Sequence, residues 1–319
     1  MLLILSSEYD KSTNDIIDWF YKDFVRINKE NYTLNLNLSL TSIGLIDSQI
    51  CLKGTNLNFD KISSFWYRRD DFFLGLDALK LHNIELIKQN FDEEWESLKM
   101  FLHFYFENKN SIGSYGKEKY HNKLQSLFVA QSVGIRIPSM LITSEKNILQ
   151  KFIEKQGDSI TKAISNMFTI EKNGFFQTIG TQLVTQKMID TLDETFFPTL
   201  IQKKIEKIFE LRIFYLKGQF YPMAIFSQTD EQTQLDYRNY NRTKPNRNIP
   251  FVLPNDIEVK LQVLMNKLDL NTGSIDMMVT PEGEYVFLEV NPTGQFGWVS
   301  ENCNYYLEEK IAHCLEGRA

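Results

Sequence analysis

The 319-residue sequence has no apolar run approaching the ~18 residues that a membrane-spanning helix needs. Cysteine is scarce: Cys51, Cys303 and Cys314 are neither even in number nor at metal-ligand spacing. A disulfide framework is thereby excluded, and a reducing cytoplasm fits. The four histidines are scattered, with no pair at ligand spacing, which argues against a histidine-based centre. Positive charge is not in excess. A net charge of −6 argues against a general binder of nucleic acid or membrane surfaces, since both need a basic field. The opening Met1-Leu-Leu-Ile-Leu5 is too short for a signal sequence and has no basic segment before it, so it reads as a first buried strand. Internal repeats and low-complexity tracts are absent. Aromatics are plentiful, with 24 Phe and 14 Tyr, and the length suffices for two or three domains with real cores.

Taken in order, residues 1–115 read as a small α/β unit. Ser12-Thr-Asn-Asp15 offers N-caps for a helix over residues 15–22, and strand-like pieces follow at 24–27, 32–40 and 50–52. The segment Ile62-Ser-Ser-Phe-Trp-Tyr-Arg68-Arg69 reads as a buried strand delivering two arginines at its end, where ligand-contacting groups gather in open α/β sheets. Surface pairing of Arg68 and Arg69 with Asp70 and Asp71 is the plainer alternative. A long amphipathic helix covers 82–109, and the polar, glycine-bearing stretch 108–116 marks a boundary. A second unit over 116–200 opens with a helix starting near Asn122 and stopping at Gly134. It continues with strands at 139–143 and 160–163 and a hairpin turning at Lys172-Asn-Gly174. In the third unit, 201–319, strands at 210–216 and 220–226 precede the polar stretch 227–250, which suits a mobile substrate loop; a helix over 257–268 follows.

The stretch Gly273-Ser-Ile-Asp276-Met-Met-Val-Thr-Pro-Glu-Gly-Glu-Tyr-Val-Phe-Leu-Glu289-Val-Asn291-Pro292 reads as two strands joined by a Pro-Glu-Gly-Glu turn. Glu289 and Asn291 are two apart and share a face, with Asp276 opposite them on the partner strand. Two carboxylates and an amide oxygen suit Mg²⁺, which leaves its other positions to water and phosphates. A hairpin with its acids facing solvent is the competing reading.

The order of these pieces resembles the ATP-grasp ligases: a lysine-start helix, Gly-Ile-Arg-Ile-Pro138, a strand lysine, a Gln202-Lys-Lys-Ile205 linker, Glu210-Leu-Arg212, then Asp276 and Glu289-Val-Asn-Pro. A narrower resemblance lies in Phe65-Trp-Tyr-Arg-Arg69, Phe209-Glu-Leu-Arg-Ile-Phe-Tyr-Leu216, Ala224-Ile-Phe-Ser-Gln228, Asp236-Tyr-Arg238 and Phe287-Leu-Glu-Val-Asn-Pro-Thr-Gly-Gln-Phe296. These resemble the ATP-grasp peptide maturases that close macrocycles in ribosomally made peptides (graspetides, including microviridin-type products), in particular the subgroup of "grasp-with-spasm" clusters.

The resemblance covers essentially the whole chain and implies an α/β (α+β) ATP-grasp fold. An N-terminal pre-ATP-grasp domain (1–115) would precede central (116–200) and C-terminal (201–319) subdomains that clasp ATP. It implies ATP and Mg²⁺ as cofactors and a precursor peptide, leader plus acidic, Thr-containing core, as partner. Asp or Glu side chains of that peptide would be joined to Ser/Thr hydroxyls or Lys amines. By the family pattern Lys123 and Lys162 meet phosphates and the adenine edge. Gln202, Lys203, Lys204 and Ile205 line the adenine pocket, and Glu210 takes the ribose hydroxyls. Asp276, Glu289 and Asn291 hold the metal, while Arg212 stabilises transferred charge. Arg238 would clamp a substrate carboxylate and Asp236 would orient it or act as base, unless they form an ordinary exposed Asp–Arg pair. Arg68 and Arg69 would serve the core, and Asp193 and Glu194 the leader. Family members commonly form dimers, so a homodimer is expected on the same ground. The alternative activity is an amino-acid ligase extending a peptide or protein C-terminus, and a different class again is a non-catalytic peptide- or nucleotide-binding module.

Overall fold

The computed structural model describes residues 1–28, 35–42, 44–45, 47–52, 55–72, 84–165, 168–172 and 175–318. Two compact units divide the chain. One is formed by 1–121, 270–273 and 292–319, the other by 122–269 and 274–291.

The first unit is built on a four-stranded parallel sheet in the order Phe24–Ile27, Leu2–Ser6, Ser64–Arg68, Asn110–Ile112. Leu2, Leu3, Ile4 and Leu5 are all buried, as a parallel strand covered on both faces requires. Its core joins Leu3, Leu5, Phe65 and Tyr67 of the sheet to Phe59 and to Leu102 and Phe106 of the helix Ile84–Glu107. The first helix runs over Lys11–Ile17, not 15–22: the Asp10 side chain accepts from Thr13 N and fixes the start one turn early. The strand expected over 32–40 is, in its described part, the short piece Asn35–Asn37 followed by Leu40–Thr41; residues 31–34 lie outside the described residues.

The second unit carries two larger antiparallel sheets and a two-stranded hairpin. One has the order Met140–Glu145, Thr195–Lys203, Ser159–Thr161, Gln182–Leu183, with helix Lys146–Gln156 packed on it through Leu149. The other runs Arg247–Pro250, Gln219–Phe226, Phe209–Leu216, Thr272–Val279, Tyr285–Asn291. The hairpin turn at 173–174 lies outside the described residues, though its strands Phe168–Lys172 and Phe175–Ile179 pair as expected. Helix Lys123–Ser132 is started by Asn122, whose side chain accepts from Leu124 N and Gln125 N, and it lies against strand Tyr285–Asn291 and helix Asn255–Lys267.

One glycine of the first unit is required by geometry. Gly113 adopts φ +75°, and a Cβ there would stand 2.6 Å from the Tyr67 carbonyl oxygen. Gly113→Ala is therefore expected to lose more than about 1 kcal/mol of stability, from strain and a backbone clash together. Chemical denaturation would show it, and an unchanged midpoint would refute the close approach.

Candidate active site

Within the second unit the 272–291 hairpin sets the site. Asp276 lies directly opposite Glu289 and Ser274 opposite Asn291, with a register shift between Asp276 and Met277. Cross-strand partners share a face, so both carboxylates emerge together, with Asn291 one step along on the same side. The neighbouring strand Phe209–Leu216 brings Arg212 to Asp276, its Nη1 standing 2.9 Å from each carboxylate oxygen, and both side chains are buried. Burial pushes the Asp276 carboxyl up, against the lowering pull of Arg212.

Glu289 is met by Lys123 Nζ at 2.8 Å and by an Arg238 Nη1 at 3.6 Å. Burial alone would raise this carboxyl. Lys123, Lys162 and Arg238 outweigh that and hold it below the usual range. Among the described residues no three His, Cys, Asp or Glu side chains gather at one point. The hairpin supplies instead two carboxylates and an amide, a hard-oxygen set that fits Mg²⁺ shared with phosphate oxygens and water.

Against the hairpin lies a cavity with Asp276, Met277, Leu288 and Glu289 in its wall. Ile160 and Leu288 contribute apolar wall, and Lys162, Gln202, Ile205 and Glu210 supply polar groups. Gln202 is buried, and its Nε2 has no hydrogen-bond partner among the described residues. The amide of Lys203 donates to Ser139 O and that of Lys204 to Asp158 O, so neither N–H is left for a ligand. Glu210 is buried too: its Oε1 is held by Lys207, while Oε2 has no partner among the described residues. Burial raises the Glu210 carboxyl to about 7, against the lowering pull of Lys207. Lys162, just past strand Ser159–Thr161, has no hydrogen bond or ion pair among the described residues. Its ammonium is pushed down to about 8, first by burial and then by Lys123, with Glu289 pulling the other way. A partly buried, unpaired lysine beside a buried amide donor and a half-satisfied carboxylate suits a ligand carrying anionic groups at one end and hydroxyls and ring nitrogens at the other.

Asp236 and Arg238 pair with each other, and Asp236 is buried. Arg238 donates through Nε to Oδ1 (2.8 Å) and through Nη2 to Oδ2 (2.7 Å), leaving Nη1 directed at Glu289. Thr181 Oγ1 donates to Asp236 Oδ2 at 3.0 Å. In the first unit Arg68 is buried and engaged by the Thr293 carbonyl at 2.7 Å, Gln295 Oε1 at 2.9 Å and Asp10 at 3.6 Å. Arg69 Nε donates to Thr293 Oγ1 and stands 3.7 Å from Glu118 Oε1, while no described residue hydrogen-bonds its two terminal nitrogens. Pairing with Asp70 is not recorded for either arginine, and Asp71 is taken by Lys99 and His103. Asp193 and Glu194 are exposed between helix Gln186–Asp190 and strand Thr195–Lys203, and no described residue pairs with their carboxylates.

Three residues were not singled out in the sequence: Lys207, Thr181 and Tyr237, whose hydroxyl lies 3.5 Å from Asp276 Oδ1. Each is an ordinary residue in a polar stretch, and only its tertiary partner distinguishes it.

No family model matches the sequence, and no curated protein matches it. Solved structures do. The chain superposes on a RiPP-associated ATP-grasp ligase from Chryseobacterium gregarium, solved with ADP and a leader and core peptide, with a TM-score of 0.86 and 26% identity over 100% of this chain and 97% of that one. The macrocyclase MdnC of Microcystis aeruginosa, bound to its precursor peptide MdnA, gives 0.78 and 25% over 99% of each chain. The chain has the ATP-grasp ligase fold. D-alanyl-alanine synthetase A of Vibrio cholerae shares that ATP-grasp fold at a TM-score of 0.57 and 14% identity over 99% of this chain and 97% of that one. The α/β fold expected from the sequence is the one observed.

Removing one partner of a buried ion pair strands the other. Arg212→Met is expected to cost about 3–5 kcal/mol of stability, because Asp276 would be left buried without its counter-charge. The double substitution with Asp276→Asn should recover most of that loss in a denaturant titration. Failure of the second change to rescue the first would show that the pair is not the source.

Proposed function

We propose that this protein is an ATP-dependent ligase that activates Asp or Glu side-chain carboxylates of a ribosomal precursor peptide as acylphosphates. It then joins them to Ser/Thr hydroxyls or Lys amines of the same peptide, closing ω-ester or ω-amide rings. The observation that carries this reading is the full-length match to ligases of ribosomal peptides, and the chemistry of the cavity supports it. Atoms balance simply: the carboxylate oxygen takes the γ-phosphoryl group, ADP leaves, and the hydroxyl or amine displaces phosphate. The peptide loses one water for each ring.

The residues of this chain divide the work. Ile160 and Leu288 are apolar wall for the base; Gln202 Nε2 and the Ile205 N–H, neither with a described partner, are donors to its edge. Glu210 Oε2 accepts from ribose hydroxyls. Lys162 is the cation for phosphate oxygens, and Lys123 would join it where Glu289 holds the metal. Asp276, Glu289 and Asn291 would hold Mg²⁺, which when bound screens the repulsion between phosphates. Arg212 favours the ionised form of Asp276 against burial and adds positive potential where charge develops. Arg238, its fork filled by Asp236, acts through Nη1, and Asp236 receives the proton of the incoming nucleophile when the pair opens. In the first unit Arg69 has the free guanidinium nitrogens that a peptide carboxylate requires, whereas Arg68 positions the 293–295 segment. Asp193 and Glu194 suit basic residues of a leader. The same reading places the enzyme in the cytoplasm, where its cysteines remain reduced.

Incubation with ATP, Mg²⁺ and a precursor peptide encoded beside the gene should lower the peptide mass by one water per ring in mass spectrometry. A mass gain of one amino-acid residue would instead identify an amino-acid ligase.

A second test uses pH. Lys162 must be protonated to pair with phosphate, and in the free protein its ammonium titrates at about 8 among Lys123, Arg238, Glu289 and Asp236. As pH rises through 8 the free protein loses this proton, so binding must recapture it. The affinity for MgADP should then fall by up to about tenfold per unit between pH 8 and 9.5. Calorimetry on Lys162→Arg should show a flatter profile, since a guanidinium keeps its charge; equal slopes for both proteins would remove Lys162 from the phosphate site.

A further inference from the structure

Lys207 was assigned no role above, yet it is among the most buried lysines of the described chain. An ammonium carries three donors and is costly to bury unless they are used. One is spent on Oε1 of Glu210, a residue that lines the cavity and whose Oε2 is buried without a partner among the described residues. A second goes to the backbone carbonyl of Leu235, at 3.2 Å. Leu235 immediately precedes Asp236, and both line the same cavity as Glu210. Lys207 thus touches the ribose carboxylate with one hydrogen bond and the root of the Asp236–Arg238 loop with another.

From this geometry we infer that Lys207 is a positioning residue that couples nucleotide binding at Glu210 to the ordering of the 235–238 substrate loop. This deepens the ligase reading and rests on it. Three features support it. First, the loop belongs to the irregular stretch 235–246, between helix Glu231–Gln234 and strand Arg247–Pro250, where backbone ordering must come from specific ties rather than from a ladder. Second, the loop root is held by such ties: Lys207 on Leu235 O, Thr181 on Asp236, the Arg238 amide on Asp236 Oδ1, the Asn239 amide on Asp236 O, and the Tyr237 hydroxyl on Asp276. Third, a carboxylate whose free oxygen accepts ribose hydroxyls is fixed in one rotamer. Its partner ammonium is then fixed as well, and the entropy of ordering the Leu235 carbonyl is lost once for both ligands. Nucleotide would therefore prepare the clamp before peptide arrives.

Hydrogen exchange on the full chain, with and without saturating MgADP, tests the coupling without a peptide. In the native protein MgADP should slow exchange of the Arg238 and Asn239 amides by about fivefold or more, the lower end of usual coupling between sites. Lys207→Met should still bind MgADP, with this slowing lost. Lys207→Arg, which can reach both oxygens, should restore it. Lys207→Gln, too short to span both, should behave as the methionine variant does and serves if that one fails to fold. A native protein that binds MgADP without slowing these amides, or a Lys207→Met variant that slows them as the native protein does, overturns the coupling and leaves the ligase reading intact. A native protein that does not bind MgADP overturns the ligase reading itself.

Discussion

A carboxylate buried beside a second carboxylate has to be neutralised, and the Asp276–Arg212 pair meets that requirement from the adjacent strand. The second unit is arranged around this constraint. The hairpin brings Asp276 and Glu289 together by register, which alone would raise both carboxyls through burial and mutual repulsion. Cations from separate elements answer them: Arg212 from the sheet, Lys123 from a helix start, Arg238 from a loop. None of these tethers is redundant with another, because each reaches a different oxygen or a different acid.

The same bookkeeping of charge explains why the cavity suits an anion. Lys123, Arg212, Lys207 and Arg238 each meet a carboxylate, and Lys162 meets none among the described residues. A phosphate there would supply the missing negative charge, and in doing so would relieve the crowding of Lys162 by Lys123. A metal at Asp276 and Glu289 acts in the same direction, since it would take over part of the neutralisation and free Lys123 for phosphate. The resting ion pairs are thus the arrangement that keeps a polar cavity stable before its ligands enter.

Legibility from sequence followed the range of the interactions. Cap and turn chemistry showed the start of helix Lys123–Ser132 at Asn122 and the register of Asp276 opposite Glu289, because both depend on neighbours in the chain. The first helix was misplaced because Asp10 out-competed the later caps, a contest between local signals of similar strength. The two arginines at the end of strand Ser64–Arg68 could not be told apart in sequence. Only the Thr293 carbonyl and Gln295, more than two hundred residues away in the chain, absorb Arg68 and spare the outer nitrogens of Arg69. Asp236 and Arg238 read as a pair in the sequence; that the Asp236 carboxylate is buried and already closes the Arg238 fork shows only in the structure.

That closed fork bears on how the enzyme would select its substrate. An Arg238 held bidentately by Asp236 presents only one nitrogen outward, so a peptide carboxylate arriving alone would have to displace an internal carboxylate of equal charge and better alignment. Displacement becomes favourable only when Asp236 gains something else to hold, and the proton of an incoming hydroxyl or ammonium is the candidate within its chemistry. Donor and acceptor of the new bond would then be recognised together, by the opening of a single ion pair. A site built this way would have little affinity for a lone carboxylate and more for a peptide that brings both groups at once. That is the discrimination an intramolecular ring closure requires, and it needs no residue beyond those already gathered on the hairpin and its neighbouring loop.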